Sequence, residues 1–243
     1  MATPGLGPAA TAPESESTNP LIGVFFSPGA AMDALARKPR FWLALAVVTL
    51  IGIVVMTVAY QRGVMEHGIR QKMETGGQMD RLPADQRERA LEQGAKWGSY
   101  IAMGGSVVGP ALALAMTSGV LLLLSKLALG GRGSFQQMMA VVSHAWLPLS
   151  VHGLLSIPIY LAKEPDTIDF ENPLPVANLG FLFSSTDQAK LYRLGSSIDL
   201  FSFWVMVLLV IGISRLTGRS KGAAAAVVAA PWALVVAIRA LTA

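Results

Sequence analysis

Residues 41–60 read "FWLALAVVTLIGIVVMTVAY", twenty consecutive residues without a charged side chain. A run of about 20 apolar residues is long enough, as a helix, to cross the hydrocarbon core of a bilayer. Trp42 and Tyr60 stand near its two ends, where aromatic residues anchor a span at the membrane interface. This stretch predicts a transmembrane helix and indicates an integral membrane protein.

The composition of the whole chain supports this class. Of its 243 residues, 53% are hydrophobic and 14% are charged, whereas a soluble domain carries about 25% charged residues. The absence of cysteine excludes disulfides, thiolate nucleophiles and cysteine-ligated metals. A net charge of +4, dispersed along the chain, does not indicate nucleic-acid binding. The expected partner is the lipid bilayer.

Four further apolar stretches are long enough to span a membrane. Because every backbone polar group in lipid must be satisfied internally, these lengths favour helices over strands. We therefore predict an all-α, polytopic bundle of five transmembrane helices. Ser134 and Gln137 have the spacing of a capping box at the start of the third. The predicted spans are residues 41–60, 99–129, 135–162, 197–214 and 222–241.

The segments around the first span are predicted separately. Residues 61–98 are a polar helical loop, which Gly76-Gly77 and Pro83 divide into two short helices. Residues 1–20 are a flexible tail, because they combine Pro, Gly, Ala, Ser and Thr without Lys or Arg.

Residues 21–40 are predicted to form an interfacial amphipathic helix, with Ser27 as its N-cap. In this prediction Met32 and Leu35 face the lipid and the basic residues meet headgroups. The predicted membrane-surface residues are Phe25, Phe26, Arg37, Lys38 and Arg40.

Asp199 stands at the head of the fourth span, in "GSSIDLFSFW", residues 195–204. Ser196 and Asp199 match a capping box, in which a serine and an acid three residues later satisfy each other's backbone donors. An acid there also meets the positive end of the helix dipole. Phe201 and Trp204 suit the membrane interface. We favour this cap over the alternative, a functional intramembrane acid.

His144 and His152 lie eight residues apart, on nearly one face of the third span. With Asp199 on the neighbouring helix, they could line the path of a small transporter or channel. The interpretation we favour is that neutral histidines hydrogen-bond between helices. The three histidines form no metal motif, so no metal or cofactor is expected. Since no nucleophile and base show a catalytic spacing, no enzymatic activity is expected.

Gly105 and Gly109 form a GxxxG pair in the second span, and Gly119 follows. Small residues let helices approach closely, within one chain or between two copies. We predict that these glycines pack helices inside the bundle. The alternative is that they pack against a second copy in a self-oligomer.

Several segments resemble the Ypt-interacting-protein (Yip) domain family in its bacterial form. They are "GVFFSPGAAMDALARKPR" (23–40), "GRGSFQQMMAVVSHAWLP" (131–148), "NPLPVANLG" (172–180) and "SSIDLFSFWVMVLLVIGISRLTGRSKGAAAAVVAAPW" (196–232). The resemblance runs from about residue 21 to the end of the chain and includes Asp199, Phe201 and Trp204. It implies a five-helix membrane domain with a cytoplasmic N-terminus. In eukaryotes the family is associated with vesicle traffic and with Rab/Ypt GTPases, and it is not known as enzymatic.

The charge distribution does not itself set the orientation. With a cytoplasmic N-terminus, eight Lys and Arg lie inside and eleven outside, so the positive-inside rule does not support the orientation that the resemblance implies. We expect a multi-pass protein of the cell membrane. Its expected role is to organise membrane or to recruit a protein partner through residues 21–40 and the polar loops.

Overall fold

The computed structural model describes residues 19–75, 82–184 and 187–241. Within these residues the protein is all-α, with three short 3-10 turns and one isolated bridge between Asn178 and Asp199 in place of any longer strand. The predicted tail lies outside the described residues except for Asn19 and Pro20, which begin the first helix. The α-helices are α1 (Pro20–Phe26), α2 (Pro28–Arg37), α3 (Trp42–Gln61), α4 (Val64–Thr75), α5 (Ala84–Leu129), α6 (Phe135–Ala145), α7 (Leu147–Ala162), α8 (Ala189–Ser196), α9 (Leu200–Thr217) and α10 (Lys221–Leu241).

Five of these stretches are long and apolar enough to cross a membrane, which confirms the predicted fold class. They are α3, the Gln86–Leu129 part of α5, α6 together with α7, α9, and α10. The α6–α7 stretch has the lowest mean hydropathy, 1.4 over its best window of 18 residues, and 33% of that window is buried inside the bundle. Four of its polar side chains are shielded by protein, since Ser143, His144, Ser150 and Ser156 are buried.

The helix α6 lies at the centre of the bundle. All eight residues from Met138 to Ala145 are buried, and α2, α3, α5 and α9 surround the helix. Its first turn confirms the predicted capping box, because Gln137 N donates to Ser134 Oγ over 3.2 Å and Ser134 N donates to Gln137 Oε1 over 2.9 Å. Ser143 and His144 are among the buried residues, and each is bonded to the Ala140 carbonyl oxygen of the same helix.

The helix α5 differs from the prediction of a separate polar loop. It runs for 46 residues without interruption, a length of about 69 Å at the α-helical rise. Two helices do occupy the polar region, because α4 ends at Thr75 and Pro83 occupies the N-cap position of α5, but the second helix is not short and continues into the span. Gly76-Gly77 lies outside the described residues. Because about 30 Å crosses the hydrocarbon core, the polar first part of α5 extends beyond the membrane. There it pairs with α4 through Arg70 and Glu88, 2.8 Å apart.

Residues 20–37 form two short helices instead of the predicted single interfacial one. Ser27 occupies the N-cap position of α2 but makes no capping hydrogen bond through its side chain. The prediction that Met32 and Leu35 face the lipid is wrong, since both are 0% exposed and belong to the main core. The absence of a side chain at Gly212 makes room for Met32, whose Sδ lies 3.1 Å from where a Cβ on Gly212 would stand.

Together α1 and α2, the N-terminal hairpin, reach along α9 into the bundle. Asp33 Oδ2 lies 3.6 Å from Arg215 Nη1 near the end of α9. The Phe25 and Trp204 rings meet edge to face with centroids 5.4 Å apart near the start of α9. Arg215 and Trp204 are eleven residues apart, about 16 Å along a helix. The hairpin therefore packs into the bundle rather than lying flat on the membrane, and Phe25 is half-buried against Trp204.

Candidate functional site: two opposite faces of the bundle

Five chain segments converge where α3 begins, an end of the bundle that we call the near side. Gln137 Nε2 donates to the Ala36 carbonyl oxygen over 2.6 Å, joining the start of α6 to the end of α2. Arg219 Nε donates to the Leu129 carbonyl oxygen over 2.8 Å, joining the α9–α10 turn to the end of α5. The opposite end, where α9 begins, is the far side.

The near side carries a cluster of exposed cations, which we call the basic face. Asp33 is the only carboxylate in the described near-side segments, 28–41, 126–135 and 214–221, and it pairs with one member of the cluster. Like charges gathered at one end of a molecule create a field that attracts anionic partners. The basic face consists of Arg37, Lys38, Arg40, Lys126, Arg132, Arg215, Arg219 and Lys221.

Glycines that sequence reasoning did not single out bring these near-side segments together. A Cβ on Gly131 would lie 2.8 Å from Thr217 Cγ2, and one on Gly133 would lie 2.8 Å from Leu216 Cδ2. Gly130 and Gly218 end α5 and α9 with left-handed φ angles of 63° and 67°, which only glycine adopts readily. The turns that carry the basic face therefore depend on glycine.

The predicted packing glycines behave differently. A Cβ added to Gly105, Gly109 or Gly119 would have no neighbour within 4 Å among the described residues. The structure thus places none of the three at a close helix contact inside the bundle, because this part of α5 turns them outward. Packing against a second copy stays a prediction.

The two histidines are separated by a break in the third span, where Trp146 ends α6 and Pro148 enters α7. His144 is buried and its Nδ1 donates to the Ala140 carbonyl oxygen of its own helix over 2.9 Å. His152 instead packs against the Phe201 ring, with centroids 5.0 Å apart. The structure therefore places His152 against the first turn of α9, which Asp199 caps, and leaves His144 in a separate environment.

Asp199 is itself the N-cap of α9. Its Oδ1 accepts hydrogen bonds from Phe201 N and Ser202 N, both over 2.9 Å. Ser196 is not the cap, because it is the last residue of α8, where its Oγ accepts from Asn172 Nδ2 over 3.3 Å. The capping box predicted from the spacing is therefore replaced by a single aspartate cap.

A polar network on the far side fixes the loop that precedes α8. Asn178 Nδ2 donates to Asn172 Oδ1 over 2.7 Å, and Asn172 Nδ2 donates to Tyr192 Oη over 3.0 Å. Tyr192 Oη donates to Asp169 Oδ2 over 2.6 Å. Burial and this carboxylate raise the pKa of the Tyr192 hydroxyl. Tyr192 therefore stays protonated and holds the network together.

An apolar cleft of about 190 Å³ lies between the hairpin, α3 and α7. It contains none of the three predicted polar site residues. Ser150, one of its wall residues, is buried, and its Oγ has no hydrogen-bond partner in the described part of the chain. The cleft is lined by Leu21, Phe25, Val47, Ile51, Leu147, Ser150, Val151 and Leu154.

Within the described residues, no group of three or more His, Asp and Glu side chains is arranged to hold a metal ion. No curated protein and no solved structure matches this chain significantly. Among known protein families, residues 22–241 match the Yip1 domain, which covers nearly all of the bundle described above. The chain therefore belongs to the Yip1 domain family.

Proposed function

We propose that this multi-pass membrane protein is non-enzymatic and recruits a protein partner to the cell membrane through its basic face. The observation that carries the proposal is the imbalance of charge on the near side, where eight exposed cations stand with one carboxylate in the described segments. Complementary charge steers and orients association, so the partner is a protein with an acidic surface.

The N-terminal hairpin carries part of the basic face at the end of α2, where Arg37 and Lys38 are exposed. Because α2 is held in the core by Met32 and Leu35, these two cations stand on a fixed helix. The exposed apolar side chains of α1, Ile22 and Phe26, lie next to Phe25, which packs on Trp204 toward the start of α9, and so lie away from the cations.

The proposed orientation has the near side in the cytoplasm. The family resemblance implies a cytoplasmic N-terminus, and the described residues of the far side are nearly neutral, with ten Lys and Arg against eleven Asp and Glu. Only the near side therefore offers an acidic cytoplasmic partner a strong positive field.

The test is cross-linking in the native membrane followed by affinity purification of the tagged protein. Deleting residues 21–40 is unsuitable, because it removes the core residues Met32 and Leu35. The variant is instead the triple neutralisation Arg37→Gln, Lys38→Gln and Arg40→Gln, which changes exposed side chains only. Its matched control removes the same charge from exposed far-side residues, through Lys163→Gln, Lys190→Gln and Arg193→Gln.

We expect a partner at near-equal amounts with the wild type and the control, and its loss with the near-side variant. Recovery should also fall between about 0.1 M and about 1 M salt, since the Debye length shrinks from about 10 Å to about 3 Å. Labelling single cysteines at Lys38 and Lys163 with a membrane-impermeant maleimide checks that the variants keep one orientation. Recovery of the protein alone or as a self-oligomer would overturn the proposal.

A small transporter or channel is the second candidate function. It is favoured by the packing of His152 against the first turn of α9, which Asp199 caps. Against it, Asp199 is engaged by two backbone N–H groups and His144 by a carbonyl of its own helix. A flux assay in liposomes on Asp199 variants separates this candidate from the recruiting role.

A further inference from the structure

Residues 172–184, "NPLPVANLGFLFS", form a far-side loop without a single charged side chain, which we call the uncharged loop. Its apolar side chains point away from the protein: Val176 is 83% exposed, Phe181 59% and Leu182 60%. Apolar groups gathered in this way on a surface mark contact with a membrane or with another molecule.

The exposure does not come from a loosely attached loop. Asn178 accepts a hydrogen bond from Gly180 N over 2.8 Å and is tied to the far-side polar network through Asn172. The backbone also touches α8, because a Cβ on Gly195 would lie 2.8 Å from the Leu179 carbonyl carbon. The loop is therefore fixed while its apolar side chains stay outside.

The uncharged loop lies at the level where α9 enters the membrane. Leu179 N donates to the Ile198 carbonyl oxygen over 3.3 Å, and Asn178 forms the isolated bridge with Asp199. Immediately beyond this pairing, in the first turn of a spanning helix, Leu200 and Phe203 are 61% and 62% exposed. Side chains exposed on a spanning helix face lipid, so the loop continues a lipid-facing surface.

We propose that Val176, Phe181 and Leu182 insert into the far-side leaflet of the bilayer, at the boundary between headgroups and acyl chains. At this boundary an apolar face enters the lipid to a depth of about 5–10 Å, and aromatic side chains favour the same region. The segment just before the loop stays in water because it is rich in charge. Its charged residues are Lys163, Glu164, Asp166, Asp169 and Glu171.

The chain has no cysteine, so single-cysteine variants need no background substitution. Val176→Cys, Phe181→Cys and Leu182→Cys are each labelled with an environment-sensitive fluorophore and reconstituted in phosphatidylcholine–phosphatidylglycerol liposomes. The lipids carry a spin label near the headgroup end or near the methyl end of the acyl chain. Phe203→Cys is the lipid-facing reference, and Asp166→Cys is the water-facing control on the same side.

We expect the three loop positions to be quenched as strongly as Phe203→Cys by the shallow spin label and less strongly by the deep one. Their emission should be shifted to the blue of that from Asp166→Cys. Quenching no stronger than at Asp166→Cys, together with full access to aqueous iodide, would overturn the proposal. Such a result would assign the loop to water or to a protein partner absent from these liposomes. A retained Phe203→Cys signal in the parallel preparation shows that the reconstitution itself works.

Discussion

The N-terminal hairpin and the uncharged loop are both apolar segments outside the spanning helices, yet the structure treats them in opposite ways. Met32 and Leu35 of the hairpin are 0% exposed, whereas Val176 of the loop is 83% exposed. A membrane protein has two apolar surroundings, its own core and the lipid, and these attract apolar side chains almost equally. An apolar pattern therefore indicates that a segment avoids water, without indicating which surrounding it enters.

The two segments differ in burial because they contact different parts of the bundle. The hairpin finds a recess at Gly212, where the absence of a side chain lets α2 approach α9 and the central helix α6. The loop is held by Asn172 and Asn178 against α8, with its apolar side chains directed outward. Backbone anchoring and one glycine thus decide between core and surface.

The largest expected effect on stability comes from opening a cavity where α2 of the hairpin packs into the core. Leu35→Ala should lower the free energy of unfolding by about 2–5 kcal/mol, because a buried leucine is truncated in a closed core. Val176→Ala should change it by no more than about 0.5 kcal/mol, as an exposed position. Equilibrium unfolding in detergent micelles measures both. Equal effects would mean that α2 lies on the detergent surface, as the sequence alone suggested.

A smaller effect is expected from filling the recess at Gly212. The Cβ of Gly212→Ala would collide with Val141 and press on Met32, and overpacking of this kind costs about 1–3 kcal/mol. Gly105→Ala is the control, since a Cβ there meets no other described residue within 4 Å and alanine favours a helix by up to about 1 kcal/mol. The quantities measured are the free energy of unfolding and the oligomeric state in detergent. If Gly105→Ala instead dissociates a dimer, the predicted self-oligomer is established.

The smallest effect concerns the cap to which the uncharged loop is tied. Asp199→Ala should destabilise the protein by about 0.5–2 kcal/mol, whereas Asp199→Asn should be nearly neutral, because asparagine caps as well as aspartate. A cap role predicts that stability follows this order while liposome flux is unaffected. Loss of flux in both variants, with stability retained in Asp199→Asn, would favour the transporter instead.

The spans were predictable because lipid imposes a strict rule on them. Residues 41–60 and 222–241 lie within one or two residues of α3 and α10, since only a helix of that length satisfies its backbone in hydrocarbon. The capping box at Ser134 was equally local. The fusion of the polar loop with the second span into one helix was missed, because the change from polar to apolar side chains near residue 99 marks where the helix enters lipid and not where a helix begins.

The candidate site was predictable only in its residue types. Asp199 caps α9, but its partner groups are backbone N–H groups rather than Ser196, because α8 ends at that serine. His144 and His152 share a face only in an unbroken helix, and the break at Trp146 separates them. The basic face needed the turns at Gly131 and Gly133 to bring distant cations together.

By itself the sequence determined that this is a membrane bundle of five spans, because bilayer thickness sets the length that an apolar run needs to cross, and five runs reach it. The tertiary structure decided where α2 and the uncharged loop go, which glycines are contacts, and which polar groups meet. These outcomes depend on shape complementarity between segments far apart in the chain, such as Met32 with Gly212 or Asn178 with Asp199. The apolar pattern indicates which side chains avoid water, and only the packing of the folded chain decides whether they are buried in the protein core or face lipid.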